Sequence, residues 1–266
     1  MSDGFSAVAE FVEDEMGFAT SYYNEPYLRR RVMARIRRTD ADDYEAYLSL
    51  LRCDRDERTA LLDSLSINVT GFFRNPEVWD SISAILAERA NASETISVWS
   101  AGCADGREPY SLAMVACANP SIEERAVEIL ATDRDERSLS HARRGIYRES
   151  PTTDLAEELS FLEEFSRYVS VDGDRFSISE RVRDLVAFER HDLITDPPKT
   201  GFDLVCCRNL LIYLDAESKE RVIATLTASL EPGGYLVIGQ AETLPIPTRD
   251  RYDVVDSSYR IFRFTG

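Results

Sequence analysis

The sequence is poor in lysine and histidine. Lysine and arginine together number 31, and Lys199 and Lys219 are the only lysines among them. His141 and His191 are the only histidines in the chain. So few histidines leave little from which to build a His-rich metal site or a Ser-His-Asp hydrolase. The five cysteines are odd in number and lack C-x-x-C spacing, which argues against a disulfide framework or a zinc site. We therefore expect no metal.

Long apolar runs are also missing. None approaches the roughly 18 to 20 residues of a membrane-spanning helix, and the first residues, MSDGFSAVAEFVEDE, are acidic rather than signal-like. We therefore expect a cytoplasmic protein without membrane insertion. The net charge of -17 argues against general nucleic-acid binding, because phosphates would be repelled. The acidic, lysine-poor composition also suggests a halophilic source, whose salt would screen self-repulsion, although a GC-rich genome would equally favour arginine.

Two kinds of hydrophobic pattern divide the chain. Between residues 5 and 90, apolar residues recur at helical spacing, as at Leu28, Val32 and Ile36. From about residue 95, short β-branched runs alternate with helical stretches, which predicts strands buried on both faces of a parallel sheet. These runs are ISVW, VEILATD, LVAFERHD, FDLVCC and GYLVIG, and the last segment, YDVVDSSYRIFRF, predicts an antiparallel hairpin. The sequence thus predicts a helical domain followed by an α/β domain.

Residues 148–182 interrupt the alternation of strands and helices. They include YVSVDGDRFSI, in which alternating residues surround Asp-Gly, a strong hairpin signal. We interpret this stretch as a small β-insertion in the α/β domain.

The ends of the predicted strands carry groups suited to a ligand. The first strand runs into AGCADGREPYSLAMV, whose small residues either let a ligand approach the backbone or merely form a tight turn. Asp133, after the second strand, stands where an acid binds ribose hydroxyls, or it caps the next helix, a role that Asp135 can fill instead. Asp192 and Asn209 follow the third and fourth strands. Because these ends meet at one sheet edge, adenosine binding is the better interpretation.

Five motifs in this order resemble the CheR-type chemotaxis receptor methyltransferases, over nearly the whole chain. They are SINVTGFFRN, VWSAGCADGREPYSLAM, ILATDRDERSLSHARRGIYR, FDLVCCRNLLIYLD and LEPGGYLVIGQAETL. The resemblance implies a Rossmann-like class I methyltransferase domain that uses S-adenosylmethionine, with a mostly parallel seven-stranded sheet and a small β-subdomain. An all-α domain precedes it. We place the helical domain at residues 1–75 and the methyltransferase domain at 76–266, with the insertion at about 148–182.

The resemblance also assigns candidate site residues. It implies that Arg74 and Tyr213 are catalytic, although from the residues alone Arg74 can be a surface cation and Tyr213 a rim aromatic. The chain departs from the family at Arg107, where an acid is usual, at Asp192, where Asn is common, and at Gly71, where Ala is common. The implied cofactor-binding residues are Asn68, Thr70, Arg74, Gly102, Glu108, Asp133, Asp192, Leu193, Asn209 and Leu210.

The implied reaction methylates glutamate side chains of chemotaxis receptors, and it needs no general base because the carboxylate is already ionised. The segment YLRRRVMARIRR, residues 27–38, either is a solvated charged face or docks the acidic helical region of a receptor. We prefer docking by Arg30, Arg31, Arg35, Arg37 and Arg38, and expect a monomer. The alternatives are a non-catalytic cofactor-binding module and a methyltransferase for an unrelated substrate.

Overall fold

The structure, a computed structural model, describes residues 4–66 and 70–266. Its contacts separate two compact units, a helical unit of residues 1–67 and 211–220 and an α/β unit of residues 68–210 and 221–266. The sequence predicts a boundary between residues 75 and 76, whereas the structure divides the chain earlier and adds a second, distant segment to the helical unit.

Four helices form most of the helical unit. Asn24, Asp43 and Asp54 precede three of them, and each side chain accepts a hydrogen bond from a backbone N–H of the first turn. The apolar residues at helical spacing, including Leu28, Val32 and Ile36, are buried. The helices are α1 (Gly4–Met16), α2 (Glu25–Ile36), α3 (Tyr44–Cys53) and α4 (Arg55–Leu65).

Residues 211–220 complete the helical unit through contacts that span most of the sequence. The backbone N–H of Asn24 donates to the carbonyl of Tyr213 at 2.9 Å, and the Asn24 side chain donates to the carbonyl of Ile212 at 3.0 Å. The ring of Tyr213 lies 4.9 Å from that of Tyr27. No local sequence pattern indicates this pairing, because Asn24 and Ile212 are 188 positions apart.

A buried ion pair joins α2 to α4. Arg35 donates two hydrogen bonds to the Glu57 carboxylate, at 3.0 and 2.5 Å, and the Tyr47 hydroxyl donates to the same carboxylate at 2.6 Å. Burial raises the pKa of Glu57, but the hydrogen bonds from Arg35 and Tyr47 outweigh it and place the pKa below its ordinary value. Glu57 is therefore ionised at neutral pH.

Within the described residues, the α/β unit contains ten strands in two sheets. The larger sheet has the order β6-β2-β1-β7-β8-β10-β9, and the smaller has the order β3-β5-β4. The strands are β1 (Ile96–Ala101), β2 (Val127–Asp133), β3 (Ile146–Arg148), β4 (Val169–Asp172), β5 (Arg175–Ile178), β6 (Val186–Arg190), β7 (Phe202–Cys207), β8 (Leu230–Ile238), β9 (Tyr252–Asp256) and β10 (Ile261–Phe264).

The large sheet matches the predicted one. Its first five strands pair in parallel, and β10 pairs antiparallel with both β8 and β9. The strands β1 and β7 lie at its centre and are almost entirely buried, which explains why their sequences are apolar on both faces. The predicted fold class is confirmed, including the C-terminal antiparallel hairpin.

The small antiparallel sheet lies where the sequence predicts a β-insertion. The strands β4 and β5 form the Asp-Gly hairpin, and β3 adds a third strand ahead of the predicted segment. The remaining helices are α5 (Glu77–Ala92), α6 (Arg107–Ala118), α7 (Glu136–Arg144), α8 (Leu155–Leu159), α9 (Glu180–Arg183), α10 (Ala216–Ser229) and α11 (Ile246–Arg249). None of the helices in the described parts of the chain is long and apolar enough to cross a membrane.

Replacing Glu57 by alanine is expected to lower the free energy of unfolding by about 3 kcal/mol, because it leaves Arg35 buried without its counter-charge. The pKa of Glu57 is depressed by folding, so its contribution is complete above the unfolded pKa, about 4.3, and is lost as the pH falls further. Urea unfolding followed by circular dichroism at several pH values measures both effects.

The matched control for this prediction is Glu25→Ala, which removes the exposed Glu25–Arg29 pair from the same unit. Exposed pairs contribute about 1 kcal/mol or less. Equal losses in the two variants would contradict a structural role for Glu57.

Candidate functional site

The candidate site lies at the carboxyl ends of the central parallel strands. The chain leaves β1 through α6 to reach β2 on one side, whereas β7 flanks β1 on the other. Such a reversal of strand order creates a crevice beyond the strand ends, where ligands of open α/β sheets bind. The predicted residues Gly102, Asp133 and Asn209 follow or end β1, β2 and β7.

A tight turn connects β1 to α6. Gly102, Ala104 and Gly106 have φ of 76°, 49° and 92°, in the left-handed region. A Cβ on Gly106 would come within 2.7 Å of the Ala142 side chain, so glycine is required there. A Cβ on Gly102 would lie 3.3 Å from Leu210. The structure thus brings together two predicted cofactor-binding residues from different strand ends.

Asp133 organises this turn. One carboxylate oxygen accepts the Ala104 N–H and the other accepts the Asp135 N–H, both at 2.9 Å. The cap of α7 is Asp135, which accepts the Arg137 N–H at 3.0 Å. Asp135 therefore fills the capping role that the sequence leaves open for Asp133, and ribose binding by Asp133 stays a prediction. Burial raises the pKa of Asp133, although the two backbone hydrogen bonds oppose that effect.

Glu108 and Arg208 form an ion pair beside the turn. Oε2 of Glu108 lies 3.5 Å from Nη1 of Arg208, whose side chain is 4% exposed, and Oε1 accepts the Ser100 hydroxyl hydrogen bond at 2.8 Å. Burial raises the pKa of Glu108, while Arg208, Ser100 and the charge of Arg74 oppose the rise. Arg74 therefore lies near enough to Glu108 to act on it electrostatically.

We call residues 70–75 the Arg74 loop. Arg208 donates to the carbonyl of Arg74 at 2.7 Å and to the side chain of Asn75 at 3.1 Å, and the Trp79 indole donates to the same carbonyl at 3.2 Å. Phe72 and Phe73 are each 2% exposed and belong to the hydrophobic core of the α/β unit. The two aromatic residues thus anchor the backbone directly before a half-buried Arg74.

Asn209 has left-handed backbone geometry, with φ 61°. Its N–H donates to Oε2 of Glu242 at 3.2 Å, and Gly239 donates to the same oxygen at 2.6 Å. Among the described residues, Oδ1 of Asn209 is buried and finds no hydrogen-bond partner. Such an unsatisfied acceptor is costly unless a ligand or water supplies a donor.

The remaining predicted cofactor residues are Asn68, Thr70, Asp192 and Leu193. Asp192 accepts the Ile194 N–H at 2.9 Å and so forms a local turn, next to a buried Leu193. This turn adjoins β2, because the preceding His191 N–H donates to the Asp133 carbonyl at 3.0 Å. Thr70 is half-buried. Asn68 lies outside the described residues.

Tyr213 and the predicted docking arginines belong to the helical unit. Arg30, Arg37 and Arg38 are exposed, and Arg31 is half-buried, with its guanidinium 5.3 Å from the centre of the Tyr27 ring. Arg35 instead pairs with Glu57, as described above. A groove of about 410 Å³ adjoins these residues, lined by Arg31, Ala34, Arg35, Arg38, Ala60, Asp63 and Ser64.

Several residues that shape the site were not predicted as site residues. Arg208, Ser100 and Glu242 act on Glu108 or Asn209, and Glu158 accepts a hydrogen bond from the Arg74 loop. One signal was available for Arg208, since a charged residue directly follows the apolar run LVCC at the end of β7. Glu158 gives no such signal, because it resembles any other acid of a surface helix.

The strand order, with its single antiparallel strand inserted next to the sheet edge, is that of class I methyltransferases, which use S-adenosylmethionine. The model for the CheR methyltransferase S-adenosylmethionine-binding domain matches residues 68–261, and that for the CheR all-alpha domain matches residues 3–66. The chain belongs to the CheR methyltransferase family. The resemblance, the fold class and the cofactor implied by the motifs are confirmed.

Two relatives show how far this similarity extends. The chemotaxis protein methyltransferase of Listeria monocytogenes is 34% identical over 238 residues, which cover 89% of this chain and 88% of that protein. An uncharacterised 104.1 kDa protein of Rhodobacter capsulatus is 34% identical over 250 residues, 91% of this chain. The chain spans 25% of that longer protein.

Solved structures resemble the chain more distantly. A TehB-like SAM-dependent methyltransferase from Corynebacterium glutamicum matches with a TM-score of 0.39 at 16% identity, covering 72% of this chain and 96% of that one.

The residues at the sheet edge suit S-adenosylmethionine. The small turn after β1 leaves the backbone open to close approach, and the Asp133 carboxylate can accept hydrogen bonds from ribose hydroxyls. The buried Oδ1 of Asn209 can accept from an amino or hydroxyl group of the cofactor.

Replacing Asp133 by alanine is expected to raise the Kd for S-adenosylmethionine at least about tenfold, because it removes the acceptor that orders the turn and one candidate ribose ligand. Isothermal titration calorimetry measures the change. Asp133→Asn, which keeps one oxygen, should lose less. The control is Asp174→Ala, which breaks an exposed ion pair with Arg148. Wild-type affinity in Asp133→Ala would refute the assignment.

Proposed function

We propose that this protein transfers the methyl group of S-adenosylmethionine to glutamate side chains of methyl-accepting chemotaxis receptors. The products are glutamyl methyl esters and S-adenosylhomocysteine, and the reaction serves sensory adaptation. Membership of the CheR family supports the proposal, as do relatives named chemotaxis protein methyltransferase in Listeria monocytogenes and Borreliella burgdorferi. Such a protein-glutamate O-methyltransferase acts on the cytoplasmic region of its receptors, and we expect it to act as a monomer.

The observation that carries the proposal is the position of Arg74. In a chain of net charge -17, this arginine stands half-buried at the cofactor edge, close enough to influence Glu108. Its loop backbone is fixed by Arg208 and Trp79. A guanidinium offers paired donors that match a carboxylate, which favours an anionic acceptor group.

The reaction requires that the acceptor carboxylate be aligned with the methyl group, and it requires no proton transfer. S-adenosylmethionine supplies a methyl group already activated on a sulfonium. A glutamate acceptor is ionised at neutral pH, so the chain needs no general base. The work of its side chains is to orient the carboxylate and to exclude water from it. We assign the orientation to Arg74, and to a hydrogen bond from Tyr213 to the substrate carboxylate.

The exposed arginines on α2 and directly after it are proposed to dock the receptor. Arg30, Arg37 and Arg38 are exposed, and together with Arg31 they place positive charge on one part of an acidic chain. Because Arg35 is held by Glu57, we revise its role from a receptor contact to a support of α2. An acidic receptor helix suits this surface, and salt weakens the attraction.

Arg74→Ala is expected to lower methyl transfer at least about 100-fold, because a misaligned acceptor loses most of the benefit of positioning. The assay supplies S-adenosylmethionine with a labelled methyl group to receptor-containing membranes and measures the label released by base. Base-labile label on receptor-sized bands indicates a glutamyl ester.

The control for this variant is Arg148→Ala, which also removes an arginine but breaks only an exposed pair with Asp174. Near-normal transfer by Arg74→Ala would refute the mechanism. Base-stable label, or no label from a wild-type protein that binds the cofactor, would favour an unrelated substrate or a non-catalytic module.

Reversing Arg37 and Arg38 to glutamate is expected to lower kcat/KM for the receptor at least about tenfold at low salt, with the Kd for S-adenosylmethionine unchanged. The difference from wild type should shrink as salt is added, because salt screens exposed charges. The double variant Arg52→Glu, Arg55→Glu makes the same charge change at exposed positions of α3 and α4. An equal loss in both double variants would contradict a local docking surface.

A further inference from the structure

Glu158, on the short helix α8, reaches the backbone of the Arg74 loop. Its Oε2 accepts the Phe72 N–H at 2.8 Å. Both carboxylate oxygens lie 3.2 Å from Nη1 of Arg107, in the first turn of α6. Arg107 also contacts Asp105 at 3.1 Å, and its side chain is 12% exposed. Glu158 thus links three separate parts of the chain through one carboxylate.

The Arg74 loop has a backbone that needs such support. Phe73 and Asn75, on either side of Arg74, have φ of 45° and 57°. Left-handed conformations of residues other than glycine are strained and persist when surrounding contacts impose them. One such contact is the Phe73 N–H, which donates to the Ser111 hydroxyl at 3.0 Å. The Phe72 N–H is the second, and its acceptor is Glu158.

The Glu158 carboxylate also lies close to Gly71. A Cβ built on Gly71 would have three nearest neighbours, all in the Glu158 carboxylate, at 3.3 to 3.4 Å. The φ of Gly71 lies outside the left-handed region, so its backbone alone would accept alanine. The carboxylate is therefore what crowds a side chain at this position.

We infer that Glu158 is a positioning residue for methyl transfer. Its carboxylate, held by Arg107, fixes residues 71–73 and thereby the direction in which Arg74 is presented to the acceptor carboxylate. The inference rests on the role given to Arg74 in the proposed function. Since α8 lies between β3 and β4, the inserted β-subdomain contributes to the geometry of the reaction as well as to its own small sheet.

The first test compares Glu158→Ala, Glu158→Gln and Glu157→Ala. Glu158→Ala should lower kcat at least about tenfold while the receptor KM and the Kd for S-adenosylhomocysteine stay within about threefold. Glu158→Gln keeps an oxygen for the Phe72 N–H and should stay within about threefold of wild-type kcat. Glu157, the exposed neighbour on α8, is the matched control and should change nothing.

A second readout needs no substrate. Hydrogen exchange of peptides spanning residues 70–78 should be faster in Glu158→Ala than in wild type, with Glu158→Gln between them and Glu157→Ala unchanged. Wild-type kcat in Glu158→Ala, or unchanged exchange in this segment, would overturn the inference.

The third test uses the crowding at Gly71. Gly71→Ala should lower kcat about threefold to tenfold in the wild-type background, because the new methyl group displaces the carboxylate. In the Glu158→Ala background it should cost nothing further, since sites in contact are not additive. Additive losses would overturn the inference, and Gly71→Ala remains informative if Glu158→Ala does not fold.

These measurements also separate the inference from the proposed function. If the wild-type protein labels no receptor glutamate, the proposed function fails, whereas the exchange experiment still decides whether Glu158 orders the Arg74 loop. If the wild type labels receptors and the Glu158 variants behave like wild type, the inference fails and the proposed function stands.

Discussion

The candidate site depends on how three successive backbone N–H groups are satisfied where β1 ends. Those of Gly102 and Cys103 both donate to the Thr132 carbonyl, at 2.8 and 2.9 Å, and that of Ala104 donates to Asp133. Buried N–H groups need acceptors, and here the end of β2 supplies all of them. The chain turns in the left-handed region at Gly102 and Ala104, and the first turn of α6 then places Glu108 beside Arg208.

Two charge networks meet in the first turn of α6. Glu108 pairs with Arg208, and the preceding Arg107 pairs with Asp105 and Glu158. Arg107 stands where the family usually has an acid, and in the structure two carboxylates balance its charge. Gly71, a second departure, lies against Glu158 as well. Two unusual residues far apart in sequence thus share one neighbour.

The sequence predicts the central strands well because they are short and mostly apolar, as strands buried on both faces of a parallel sheet usually are. It also places Gly102, Asp133 and Asn209 at strand ends, which are easy to locate once the strands are known, and their contacts with the cofactor stay predictions. Glu158 and Glu242 escape prediction because each holds its loop through backbone N–H groups, which every residue but proline carries. Phe72 and Glu158 are 86 positions apart, a separation that no periodicity reveals.

The segment 211–220 has a consequence for the order of events during synthesis. Asn24 contacts Ile212, which is translated 188 positions later. Tyr27 contacts Tyr213, the next residue along. At ribosomal rates of roughly 5 to 20 residues per second, the first helices wait on the order of ten seconds for these partners. The N-terminal unit therefore reaches its final packing after most strands of the central sheet have been made, so the order of folding does not follow the order of the chain.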